Sequence, residues 1–436
     1  MTTPVKPLGQ GDSAWFSQAR LGLFIHWGLY AMGARHEWLK SREAMDDQEY
    51  DRYFCHFDPD LYCPERWAQE AYDAGMKYVV VTTKHHEGFC LWDSKFTQYK
   101  APNTPAGRDL LHPLVDAFRA KGLRIGFYYS LLDWHHPDYT IDGKHPMRNR
   151  PEYVEAAQHR DIGRYVDYLF AQTRELLTEF GQIDVLWYDF PVPPSPPFAG
   201  KGPETWKSAD LIRMIRELQP QILLNDRLGI AQDIRTPEQV QPEGPLMMDG
   251  KPVVWEACHT FSGSWGYYRD ETSWKTSEMI IAMLADSVSK GGNLLLNVGP
   301  NSRGEFDPRA SERLARLGQW MHLNRRAIYG CTAAPEDILC PPDCRLTYNP
   351  KTKRLYVHLL AWPFKYLHLR GLKGRVDYAQ LLHDGSEVRL RHLSQTVEDA
   401  PGLFHLSTSD DVISVELPTL KPPVEVPVIE LFLHDA

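Results

Sequence analysis

Short apolar runs rich in β-branched and aromatic residues recur through the first three quarters of the chain, and segments of helical period lie between them. The runs are Leu21–Trp27, Lys77–Thr83, Arg124–Ser130, Ile183–Asp189, Gln221–Arg227, Pro252–Cys258 and Asn293–Gly299. Runs of this near-continuous kind are strands buried on both faces, as in a parallel sheet. Between them, Pro64–Ala74 opens on a proline suited to a first helical turn and stops at Gly75. Asp109–Lys121, Glu152–Phe180 and Ser273–Lys290 also close on glycine. Repetition of strand, loop and helix predicts an α/β fold. Seven such strands over about 300 residues suit an irregular (β/α)8-type barrel better than a doubly wound sheet, with the eighth strand unassigned. No GxGxxG follows a strand, which argues against a dinucleotide site.

The pattern changes near residue 335. Arg354–Trp362, Tyr366–Leu372, Val376–Leu382, Leu403–Thr408, Val412–Leu417 and Pro427–Leu433 carry no helical period, and Asp384-Gly385 is a hairpin signal. The reading is a barrel over residues 1–335 and a C-terminal antiparallel β-sandwich over 336–436. Pro191–Pro203 holds six prolines directly after the fourth strand, where barrel loops carry function.

The net charge of −9, without a basic cluster, excludes a nucleic-acid partner. No apolar run approaches the roughly 18 residues of a membrane helix. The start of the chain has no basic and apolar leader, and the seven cysteines are an odd number, so the expectation is reduced thiols in a cytoplasm. Charge says nothing of assembly, and a homo-oligomer stays open.

In a parallel barrel, function collects at the C-terminal strand ends. There stand His26-Trp27, Lys84-His85-His86-Glu87, Tyr128-Tyr129-Ser130, Trp187-Tyr188-Asp189, Asn225-Asp226-Arg227 and Trp255-Glu256. Alternation puts Val185, Trp187 and Asp189 on one face, with Asp189 last. A carboxylate there works, or pairs with Arg227 or a neighbouring His. Glu37, Glu238, Glu256 and Glu271 are candidate second carboxyls, and glycoside hydrolysis uses two. Ser264-Trp265-Gly266-Tyr267 adds a loop tryptophan.

These segments, with Phe24-Ile25-His26-Trp27-Gly28, Thr83-Lys84-His85-His86-Glu87-Gly88-Phe89 and the Gly291–Pro300 stretch, resemble in order the α-L-fucosidases of glycoside hydrolase family 29. The resemblance implies a retaining exo-glycosidase that acts on oligosaccharides with terminal α-L-fucose and uses no metal or organic cofactor. It implies Asp189 as nucleophile and Glu238 as acid/base, with Glu256 the runner-up and Glu37 or Glu271 behind. The implied sugar pocket is His26, Glu37, Trp38, His85, His86, Tyr129, Trp187, Arg227 and Trp265. Phe190 departs from the family pattern, which has Gly or Met after the nucleophile. Two rival readings stand beside this one. One is a metal-dependent sugar isomerase with His85, His86, His135, His136 and the carboxylates as ligands. The other is a carbohydrate-binding protein without turnover.

Overall fold

The computed structural model describes residues 10–391 and 411–434. Seven strands form one all-parallel sheet: β1 (Leu21–Ile25), β2 (Tyr78–Lys84), β3 (Arg124–Ser130), β4 (Val185–Asp189), β5 (Leu223–Leu224), β6 (Glu256–Thr260) and β7 (Asn293–Val298). Their order is β5-β4-β3-β2-β1-β7-β6. The strands are almost wholly buried, because helices cover their outer sides and aromatic rings fill the inside. The inner cluster includes Phe24, Tyr78, Val80, Tyr128, Trp187 and Leu295.

The covering helices include Pro64–Asp73, Leu111–Ala120, Ile162–Glu179, Ser208–Leu218, Ser277–Ser289 and Pro308–Asn324. The long predicted helix over 152–180 is two helices. Asp161 interrupts it, leaving helical geometry and accepting from the Gly163 N–H as an N-cap. The β5–β6 connection contains no α-helix. Instead an irregular stretch over 234–239 runs parallel to both neighbours. Ile234 N donates to Leu224 O at 3.1 Å, and Cys258 N donates to Pro237 O at 3.0 Å.

Beyond it lie β8 (Thr332–Ala333), β9 (Cys344–Asn349), β10 (Arg354–Leu359), β11 (Tyr366–Arg370), β12 (Val376–Leu381), β13 (Arg389–Arg391), β14 (Val412–Glu416) and β15 (Val428–Leu433). They form two antiparallel sheets, β8-β9-β10-β15-β12 and β11-β14-β13. Both sheets feed one apolar cluster that includes Leu355, Val357, Leu369, Val415 and Ile429. The expected strand at Leu403–Thr408 lies outside the described residues. Among the described residues, no helix is long and apolar enough to cross a membrane.

One buried ion pair ties the mouths of β2 and β3 together. Lys84 Nζ donates to Asp133 Oδ2 at 2.8 Å and to the Tyr165 hydroxyl at 3.1 Å. Asp133 Oδ1 accepts from the backbone N–H of His135 and of His136. Gly88 turns the chain past this carboxylate at φ +85°, where a Cβ would stand 2.3 Å from Asp133 Oδ1. Asp133→Ala leaves a buried ammonium unpaired. The expected loss is about 3–5 kcal/mol of unfolding free energy, measured by urea denaturation. A loss below about 1 kcal/mol would mean that Lys84 finds other solvation.

Candidate active site

A cleft lies at the C-terminal ends of the parallel strands, with about 320 Å3 of space between its atoms, part of it open to solvent. Its lining includes Phe24 and His26 from β1 and the residue after it, and His85 and His86 after β2. Tyr128 comes from β3, Trp187 and Asp189 from β4, Glu238 from the irregular stretch and Cys258 from β6. Trp38, Phe190 and Trp265 are half-buried rings of the surrounding loops.

Asp189 ends β4, with its side chain 12% exposed. Its Oδ1 accepts from Arg227 Nη1 at 3.0 Å and its Oδ2 from the Tyr128 hydroxyl at 2.8 Å. Burial pushes this carboxyl above its ordinary range and the Glu238 charge adds to that, while Arg227 and Tyr128 pull it down. Glu238 is 41% exposed, and its Oε2 accepts from Arg227 Nη2 at 2.8 Å. One guanidinium therefore holds both carboxylates, the deep one and the open one. Arg227 is itself fixed. Its Nε donates to Thr236 Oγ1, and its guanidinium lies 4.8 Å over the Trp187 ring.

Hydrogen bonds set the tautomers of two of the imidazoles. Asn297 Nδ2 donates to Trp265 O, so its Oδ1 faces His26 Nδ1 at 2.6 Å. Burial holds His26 well below its ordinary pKa, so the ring is neutral, with its proton on Nδ1 and Nε2 a bare acceptor. His86 repeats the device. Ser130 Oγ donates to Leu132 O and so accepts from His86 Nδ1 at 2.6 Å, and burial again lowers the ring's pKa. The His86 Nε2 atom lies 3.9 Å from Asp189 Oδ2. Two imidazoles of the cleft are thus preset to accept hydrogen bonds from hydroxyl groups.

Of the residues predicted from sequence, His26, Trp38, His85, His86, Trp187, Asp189, Glu238 and Trp265 line this cleft, and Arg227 bridges its carboxylates. The other candidates do not line it. Tyr129 points outward, its hydroxyl donating to Gln172 Oε1 of the helix Ile162–Glu179. Tyr128 is the inward residue, because the β3–β4 register sets it beside Trp187. Glu37 is a loop clamp. Its Oε2 accepts from Ser264 Oγ and from the N–H groups of Trp265 and Gly266. Glu256 begins β6 instead of ending it, since Val253 and Val254 pair irregularly with Leu246 and Arg235. Its carboxyl is buried below the cleft, accepting from the Tyr78 hydroxyl and the Trp187 indole.

Glu271 binds Ser273 in an outer loop. His135 stacks on Tyr99 at 3.7 Å and His136 packs against Tyr168, so the four histidines do not converge. Among the described residues, no group of three or more His, Cys, Asp or Glu is arranged to hold a metal ion. Phe24, Tyr128 and Cys258 were missed, though alternation along β1, β3 and β6 points to them once one inward residue is known. Phe190 turns away from β4 at φ +71° and sets its ring 5.4 Å from Trp38 and 5.2 Å from His86. The proline-rich segment behind it is pinned by Val192–Lys201 backbone pairing and by Lys201 Nζ donating to Asp142 Oδ2 at 2.6 Å.

Comparison with known proteins gives a consistent result. A family model described as alpha-L-fucosidase matches residues 5–326. The structure of alpha-L-fucosidase isoenzyme 1 from Paenibacillus thiaminolyticus is 44% identical, with a TM-score of 0.87 over 97% of this chain and 99% of that one. A GH29 alpha-L-fucosidase from Bacteroides thetaiotaomicron, trapped as a covalent intermediate with 2-fluoro-fucosyl fluoride, is 29% identical. It superimposes with a TM-score of 0.82 over 99% of this chain and 98% of that one. Human plasma alpha-L-fucosidase is 30% identical over 80% of this chain and 76% of its own length. With a family match over most of its length and near-complete structural overlap, this chain belongs to the α-L-fucosidase family, glycoside hydrolase family 29.

Proposed function

We propose that this enzyme hydrolyses terminal α-L-fucosides with retention of configuration, with Asp189 as nucleophile and Glu238 as general acid/base. The observation that carries this reading is the shared guanidinium. Arg227 holds a deep carboxylate and an open one in the same cleft. Double displacement asks for two carboxyls close together, one to bond carbon and one to exchange protons with solvent. In the first step an Asp189 oxygen bonds C1 as the C1–O bond breaks, and the Glu238 proton passes to the leaving oxygen. In the second, water bonds C1, its proton goes to the Glu238 carboxylate, and the C1–Asp189 bond breaks. These two carboxyls supply the nucleophile and both proton transfers.

The neutral His26 and His86 suit ring hydroxyls, and His85 and Trp38 complete the polar side. Phe24, Trp187 and Trp265 form an aromatic wall, with Phe24 centred 5.4 Å from Trp187 and 5.9 Å from Trp265. Such a wall accepts the C6 methyl of fucose and leaves a 6-hydroxyl unpaired, at about 1–3 kcal/mol. Fucosides should therefore exceed the matching α-L-galactosides in kcat/KM by about 5- to 150-fold. Equal rates would remove the methyl-recognition argument.

Support for the finer architecture is the stretch over 234–239, which bridges β5 to β6. We read the parallel sheet as an irregular (β/α)8 barrel with that stretch in the eighth position. Residues 336–436 are then a separate β-sandwich, in keeping with their own apolar cluster. All seven cysteines are free thiols, in keeping with a cytoplasmic setting.

The test is hydrolysis of 4-nitrophenyl α-L-fucoside followed by proton NMR. The expected first product is α-L-fucose, mutarotating later. The β anomer appearing first, or no release at all, would overturn the reading.

A further inference from the structure

Glu256 is a buried acid that the double displacement does not use. It is fully buried and, among the described residues, forms no ion pair. Each oxygen is taken by a donor from a different strand. The Tyr78 hydroxyl of β2 donates to Oε2 at 2.7 Å, and the Trp187 indole N–H of β4 donates to Oε1 at 3.1 Å. Both donors belong to the apolar cluster inside the sheet. An uncompensated carboxyl is costly in such a place, and a Met or Leu would fill it without that cost.

Trp187 is the shelf on which the reacting groups rest. The Arg227 guanidinium lies 4.8 Å over its ring, and Tyr128 stacks beside it at 5.7 Å and 22°. Those two residues hold the two oxygens of Asp189. A tryptophan whose N–H is tied below the floor cannot flip or tilt its ring.

We infer that Glu256 is a positioning residue. Its carboxyl fixes the plane of Trp187 and, through Arg227 and Tyr128, the aim of Asp189 at the anomeric carbon. Length and hydrogen-bond reach are what the position requires. Burial pushes the Glu256 carboxyl up to about 7, against the pull of its two donors, so a neutral side chain of the same length is a fair substitute. The inference rests on the fucoside-hydrolysis reading. Wild-type turnover in the same assay tests that reading, and the ratio of two variants tests this one.

The variants are Glu256→Gln and Glu256→Asp. Both are assayed on 4-nitrophenyl and 4-methoxyphenyl α-L-fucoside, with and without azide. Turnover is expressed per active site, counted by covalent titration with 2-fluoro-fucosyl fluoride. Glutamine keeps the reach, so Glu256→Gln should stay within about fivefold of wild type in kcat/KM. Aspartate keeps the acid but is one methylene short. Glu256→Asp should lose about 10- to 100-fold per site, by the same factor on both substrates and without azide rescue. An acid/base at this position would reverse the order, with the glutamine variant the poorer, steeply dependent on the leaving group and rescued by azide. Glu256→Asp at wild-type turnover per site would equally overturn the inference, since the carboxyl would then serve folding alone.

Discussion

Replacing Asp189 by alanine is expected to lower kcat/KM for 4-nitrophenyl α-L-fucoside by roughly 10⁴- to 10⁶-fold, the scale on which removal of a nucleophile falls. The leaving phenol is a good one, so loss of bond formation at C1 is the whole effect. The cleft should survive the change, because Arg227 retains Glu238 and Thr236, and Tyr128 remains stacked on Trp187. The alanine leaves room on the nucleophile's face for a small anion. Azide entering there should restore turnover and give β-L-fucosyl azide, identified by NMR. Residual activity above about a tenth of wild type, or rescue yielding the α azide, would assign the nucleophile elsewhere.

Glu238→Ala should behave in the opposite way. A 4-nitrophenolate leaves with little help, so formation of the covalent fucosyl-enzyme should persist. Hydrolysis of that intermediate should slow, because no base takes the proton of water. Azide needs no base and should accelerate turnover, giving α-L-fucosyl azide. With a poor leaving group such as a sugar hydroxyl, the loss should reach about 10²- to 10⁴-fold, the usual worth of general acid catalysis. Arg227 should keep its bond to Asp189 in this variant, so the proposed nucleophile should stay aimed. A loss of the same size for good and poor leaving groups would remove Glu238 from the role. The exposure of this side chain suits the acid/base role proposed for it, which needs access to both the departing group and the incoming water.

The two rings missed or misread on β3 show where sequence reading stops. Tyr128 and Tyr129 are neighbours of the same type, and alternation alone says only that they point to opposite sides. Which one faces the cleft depends on the register between β3 and β4, where Tyr128 stands beside Trp187. The depth of Glu256 has a related cause. The apolar run Pro252–Cys258 reads as one strand, yet the ladder starts at Glu256. The shift of a few residues moves that carboxyl from the mouth to a place beneath the floor. The helical and strand segments themselves were legible, because burial on both faces and glycine stops are written locally.

The sequence by itself determined the parallel α/β frame, the antiparallel C-terminal region, the inward parity of Trp187 and Asp189, and the ordered motifs that carry the family resemblance. These follow from periodicity and short-range backbone preference, which need no partner. Tertiary structure alone decided the rest. It chose Tyr128 over Tyr129, sent Glu256 under the floor and Glu37 into a loop clamp, and set the stretch over 234–239 beside β6 with Glu238 at the rim. It also joined Asp189 and Glu238 through Arg227, across 38 and 11 residues of chain. Such contacts are set by strand register and by which buried polar atoms find partners, and both are properties of the packed chain that no local window contains.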